Sequence, residues 1–205
     1  MAVPAVRAVL WDADGVLQQV PASWFDLLGQ TVGTGKALAL LDLLLPQMES
    51  ATRGEQGMTG LLPGFLDQLG LAEHREAVSE VWGTIDVLEP ARGVVRDLRA
   101  QGIECHLASN QDDLRTSYMR SRMGYDELLD RSFYSCEVGA AKPTEEFFRH
   151  VAGELGLDLD ELAFVDDTME NVEAARALGV HAILWHDRDG VQVLRNALRA
   201  EGLPT

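Results

Sequence analysis

The chain has 205 residues, with 33 Asp and Glu against 17 Lys and Arg and a net charge of −16. That length suits one medium-sized domain or a domain carrying an insert, and so acidic a surface disfavours nucleic acid, whose binding rests on Lys and Arg neutralising phosphates. Small phosphate esters are not excluded, because a bound cation can neutralise them locally, and as a surface property the charge supplies solubility.

The first apolar run, Ala5 to Trp11, predicts a buried strand over residues 6 to 12. It ends at Asp12 and Asp14, followed at once by Gly15, where an α/β sheet usually places a ligand site. Strand-like runs are missing from there to Leu88. Helical patterns are expected instead over 24–45, 60–69 and 73–87, with several glycines loosening the links. Within this stretch Gly33-Thr34-Gly35-Lys36 is a poor phosphate loop, since such a loop needs Gly where Gln30 stands and Ser or Thr where Ala37 stands. The run Leu38 to Leu45 is broken by Asp42, ended by Pro46 and too short to span a bilayer.

Beyond Leu88 strands and helices alternate. Strands are predicted at 103–109, 162–166 and 181–185, with a further one at 132–136. Helices are predicted at 91–101, 111–123, 144–156 and 168–178, several stopping at Gly102, Gly124, Gly156 and Gly179. This alternation implies a mostly parallel three-layer α/β sheet, Rossmann-like in build. Cys105 and Cys136 show no metal spacing and suit buried free thiols. His106 reads as a packed strand residue. With no basic stretch and signal-type apolar region at the amino terminus, the expectation is a soluble cytoplasmic protein with no membrane or nucleic-acid partner; nothing in the pattern indicates its oligomeric state.

If the apolar runs are parallel neighbours, their C-terminal ends share one edge, and Asp12, Asp14, Ser109, Lys142, Asp166 and Asp167 converge there. Clustered carboxylates repel and pay desolvation unless a hard cation neutralises them, which points to magnesium. Lys142, Ser109 and helix-start N–H groups are then free to hold an anion such as phosphate. Asp12 is the candidate nucleophile, also binding magnesium through its second oxygen. Asp14 is the candidate acid and base for the leaving alkoxide and the attacking water. Lys142 would balance charge and hold phosphate, while Ser109 and Asn110 would bind phosphate oxygens.

Taken in order, Asp12-Ala13-Asp14-Gly15-Val16, Ser109-Asn110, Lys142-Pro143 and Asp166-Asp167 resemble the four motifs of the haloacid dehalogenase-like hydrolase superfamily. The segment from Asp167 to Val180 is similar to that superfamily's closing stretch. The resemblance implies a core formed by residues 1–16 and 89–205, with residues 17–88 inserted as an α-helical cap hinged near 16–20 and 87–91. It implies magnesium held by Asp12, the Asp14 carbonyl and Asp167, with Asp166 acting through water or behind the ligands. The implied activity is hydrolysis of a small phosphate monoester through an aspartyl phosphate. Asp14 favours phosphoryl transfer over carbon–halogen hydrolysis, which has no alkoxide to protonate. A phosphomutase of the hexose phosphate kind stays open, since Val16 stands where many phosphatases carry Thr, as does a non-catalytic phosphate binder. Arg53 is loosely similar in position to a substrate-contacting cap Arg, and a solvated surface Arg explains it equally well.

Overall fold

The computed structural model describes residues 6–205, so Ala5, at the head of the first apolar run, lies outside the described residues, as do the other first residues assigned to the core. The elements in chain order are β1 (Ala8–Trp11), β2 (Gln18–Gln19), α1 (Trp24–Val32), α2 (Thr34–Leu44), α3 (Met48–Thr52), α4 (Met58–Gln68), α5 (Arg75–Gly83) and β3 (Asp86–Val87). There follow α6 (Glu89–Ala100), β4 (Glu104–Ser109), α7 (Asp113–Arg122), α8 (Tyr125–Leu128), β5 (Arg131–Tyr134), α9 (Ser135–Val138), α10 (Glu145–Leu155), β6 (Leu162–Asp166), α11 (Met169–Ala177), β7 (His181–Leu184) and α12 (Val191–Ala200).

Five strands form one sheet in the order β5-β4-β1-β6-β7, every pairing parallel. Central strands of such a sheet are covered on both faces, which is why β1 is apolar throughout and β6 is apolar up to Asp166, its last residue. Alternate side chains serve opposite faces. Val9, Trp11, Cys105, Leu107, Ala163 and Val165 pack on one side, with Val94, Val95 and Leu98 of α6 and Leu194 and Leu198 of α12. Ala8, Leu10, Leu162 and Phe164 pack on the other, with Phe147, Phe148 and Val151 of α10 and Val172 and Ala175 of α11.

The stretch between β1 and α6 departs from a plain helical reading. Gln18 and Gln19 pair antiparallel with Asp86 and Val87, a two-stranded ribbon that two-residue strands give no periodicity to reveal. The single helix expected over 24–45 is two, because Gly33 turns to φ +86° between α1 and α2, a conformation only Gly adopts without cost. Apolar spacing runs on through the break, so it did not mark it. Helices α1 to α5 share their own apolar cluster, built on Leu28, Leu40, Leu44, Leu62, Leu66 and Val78. The helix expected over 73–87 ends at Gly83, leaving residues 86–87 to the ribbon. No helix among the described residues is long and apolar enough to cross a membrane.

Candidate active site

Strand register delivers the acids. Asp12, just past β1, donates its N–H to the Val165 carbonyl at 2.9 Å, so it stands level with Asp166 at the end of β6. Both continue the parity of Leu10 and Phe164 and turn to the α10 side. There the loop between α9 and α10 brings in Lys142. Its Nζ donates to Asp12 Oδ1 at 2.7 Å and to Asp166 Oδ2 at 2.6 Å, and lies 5.1 Å from the centre of the Phe164 ring. All three residues are buried.

Further bonds hold this pairing in place. Asp166 Oδ1 accepts the Thr168 N–H at 2.7 Å, and Asn171 Nδ2 donates to Asp166 Oδ2 at 3.0 Å. The Asn110 side chain and the Lys142 backbone exchange two bonds, Nδ2 donating to the Lys142 carbonyl at 2.8 Å and Oδ1 accepting its N–H at 2.9 Å. Asn110 therefore spends its amide on positioning the lysine. Ser109 is buried, its Oγ accepting a long bond of 3.4 Å from Gln111 Nε2.

Charge in this cluster does not balance. Carboxylate oxygens of Asp12, Asp166 and Asp167 lie within 4.8 Å of one another, against the single ammonium of Lys142. Burial, only partly offset by Lys142 and reinforced by Asp166, pushes the Asp12 carboxyl up to about 7. Burial and the neighbouring Asp166 charge also raise Asp167. Burial works against the Lys142 ammonium, but Asp12 and Asp166 outweigh it and hold its pKa above the ordinary lysine value. An excess of oxygen-bearing negative charge, with Asp167 half-buried and facing the cavity, fits a hard divalent cation.

The turn after β1 is shaped around Asp167. Gly15 has φ +83°, and a Cβ there would lie 2.0 Å from Asp167 Oδ2, so the backbone can approach the carboxylate only as glycine. Asp14, on the same turn, is held by three donors: Gln111 Nε2 at 2.6 Å, Arg115 Nη2 at 2.9 Å and Gln18 Nε2 at 3.1 Å.

Arg115 belongs to the first turn of α7, which also meets the helices between β2 and β3. Asp112 caps α7 by accepting the Arg115 N–H at 3.0 Å and accepts the indole N–H of Trp82 at 3.1 Å. Asp113 accepts the Thr59 N–H at 3.2 Å. The site residues missed by sequence reasoning are thus Gln18, Gln111, Arg115 and Asn171. Gln18 opens β2, Gln111 precedes α7 and Arg115 sits in its first turn, and no local pattern sets these three apart from solvated residues; Asn171, in the first turn of α11, lies within the closing stretch but was given no role there.

A cavity of about 510 Å³ is lined by Asp12, Asp14, Ser109, Lys142, Asp167 and Thr168. A second, of about 400 Å³, adjoins it at Asp14 and Asn110 and extends under α1 and α2. Arg53 lines a third beside Lys142 and Pro143, where its guanidinium pairs with Glu49 at 2.8 Å and stays partly exposed.

The sequence profile described as haloacid dehalogenase-like hydrolase matches residues 6–179. Among curated proteins, a sesquiterpene phosphatase of Aspergillus oryzae is 35% identical over 88 residues, 42% of this chain and 44% of that protein. A drimenol cyclase of Aspergillus calidoustus is 42% identical over 65 residues, 32% of this chain and 12% of that protein. The chain thus spans less than half the length of these relatives. A haloacid dehalogenase family enzyme from Bacteroides thetaiotaomicron, solved with magnesium and inorganic phosphate, superposes with a TM-score of 0.74 at 19% identity, covering 88% of this chain and 94% of that one. Likeness at that identity establishes the fold.

Proposed function

The chain belongs to the haloacid dehalogenase-like hydrolase family, and within it we propose a magnesium-dependent phosphatase that cleaves small phosphate monoesters through a phosphoryl group carried on Asp12. The observation that carries this reading is the Asp12–Lys142–Asp166 bridge, standing beside Asp167 with Asp14 held two residues from the nucleophile. The phosphatase among the relatives and the magnesium and phosphate of the Bacteroides neighbour support it.

Asp12, the Asp14 carbonyl and Asp167 would hold the cation, with Asp166 behind them fixing Lys142. Magnesium would neutralise the phosphate and the carboxylates, lowering the repulsion between two anions. An Asp12 carboxylate oxygen attacks phosphorus as the ester oxygen departs, and Asp14 supplies the proton that the departing alkoxide needs. Asp14 then takes a proton from water as its oxygen attacks phosphorus, releasing phosphate and restoring Asp12. Arg115, Gln111 and Gln18 keep Asp14 aimed through both steps. Lys142 engages Asp12 Oδ1 and lends positive charge to the incoming phosphate. Helices α1 to α5 serve as the cap, keeping stray water from the phosphorylated aspartate.

The test is phosphate release from acetyl phosphate, with magnesium and with excess EDTA, by the parent and by Asp12→Asn. Magnesium-dependent release that vanishes in Asp12→Asn, with the fold intact by circular dichroism, is expected. Turnover in EDTA or by Asp12→Asn would refute the assignment.

A further inference from the structure

We infer that the alcohol half of the substrate is apolar: the chamber beside Asp14 is built to take a hydrocarbon group of on the order of a dozen carbons at roughly 30 Å³ each, about the liquid share of a water molecule. This rests on the phosphatase reading and adds the class of leaving group.

Position comes first. The chamber of about 400 Å³ meets the acidic cavity at Asp14 and Asn110, so a phosphate seated at Asp12 points its ester oxygen past Asp14 and its carbon chain into this space. The walls are Val20, Trp24, Leu41, Leu45, Met48 and Trp82. Val20 and Leu45 are 42% and 62% exposed, two of the few large apolar side chains left open to solvent, as expected where a ligand supplies the missing cover.

Most polar groups of the lining already have partners. Gln111 Nε2 and Arg115 Nη2 bind Asp14, Arg115 Nε being buried without a partner, and the Asn110 amide binds the Lys142 backbone. Asp112 accepts from Trp82 and from the α7 backbone. Trp24 donates its indole N–H to the Val81 carbonyl at 2.8 Å, so both indoles offer the chamber apolar ring surface. Thr52 adds one hydroxyl. A sugar or nucleotide entering here would shed water from several hydroxyl or amide groups with few free partners to replace it, a cost of kinetic consequence. A hydrocarbon sheds water favourably.

The experiment compares methyl-, butyl- and octylphosphonate binding by calorimetry with magnesium present, alongside kcat/KM for butyl phosphate, octyl phosphate and glucose 6-phosphate. A fully buried methylene contributes about fourfold in affinity, so even a partly open chamber should favour octyl over butyl at least tenfold in both measurements, with glucose 6-phosphate the poorest substrate. Leu45→Gln should shrink the octyl-to-butyl ratio severalfold. Leu38→Gln, an exposed site on α2 outside the chamber, should leave the ratio unchanged. A flat chain-length series, better turnover of glucose 6-phosphate, or equal effects of the two glutamine variants would overturn the inference while leaving acetyl phosphate hydrolysis intact. Loss of that hydrolysis in the parent would overturn the phosphatase reading and this inference with it.

Discussion

Replacing Lys142 by Met keeps the side chain's length and removes the charge that separates Asp12 from Asp166. The ammonium is buried and makes two charge-assisted bonds, of 2.7 and 2.6 Å, and removing one member of a buried ion pair costs about 3–5 kcal/mol. At about 2–4 °C per kcal/mol for a chain of this size, cation-free Lys142→Met should melt roughly 6–20 °C below the parent at pH 8. The loss should depend on pH. Asp12 sits at about 7 in the fold against 3.8 ordinarily, and losing the ammonium raises it further. A group whose folded pKa lies above its unfolded value stabilises the fold when protonated. That stability is complete below the unfolded value and is lost as pH rises through the folded one. The gap between variant and parent should therefore be wide at pH 8 and narrow at pH 5.5, measured by thermal denaturation in EDTA. A variant melting within about 2 °C of the parent at pH 8, or an equal gap at both pH values, would refute this account of the buried cluster.

Magnesium should raise the melting temperature of the parent more at pH 8 than at pH 5.5, because a proton on Asp12 competes with the cation; equal shifts would remove Asp12 from the ligands. Gly15→Ala should cost at least about 1–2 kcal/mol for its left-handed backbone and should weaken the magnesium-dependent rise in melting temperature, since Asp167 has to move aside. An unchanged rise would place the cation away from Asp167. Asp14→Asn, given an activated aryl phosphate, should accumulate a phosphate adduct visible in the intact-protein mass and absent when Asp12 is also replaced. If no adduct forms and poor and good leaving groups slow equally, Asp14 is not the acid and base.

The sheet was the most legible part of the chain. Residues 162–166 and 103–109 are short, largely apolar runs because both faces of a central parallel strand are mostly covered, and β6 and β4 formed there to within a residue. Convergence of Asp12 and Asp166 followed from one rule, that parallel strands end along a common edge, while Lys142 reaches them from the loop between α9 and α10. Harder to read were features set by contacts distant in sequence. Arg115 reaches Asp14 across 101 positions, and its spacing within α7 differs in no way from that of an exposed arginine. Gln18 is wholly buried, donating to Asp14 and accepting the Tyr125 hydroxyl at 2.6 Å, yet in sequence it is one of two adjacent glutamines. Helix α12 was not assigned, although its apolar positions at Leu194 and Leu198 keep helical spacing.

The ribbon of Gln18–Gln19 against Asp86–Val87 gives the helical insert a neck only two residue pairs wide. Its two ends leave the sheet side by side, with the Leu88 N–H donating to the Leu17 carbonyl at 3.0 Å below the last pair. Closing a loop across such a neck costs free energy that rises only with the logarithm of its length, about 0.6 kcal/mol per doubling. Lineages could therefore lengthen, trim or exchange everything above the neck at small expense to the sheet beneath, provided that whatever replaces Trp82 and Thr59 still meets Asp112 and Asp113. The neck thereby separates the helices that carry most of the chamber walls from the strand ends that carry the acids.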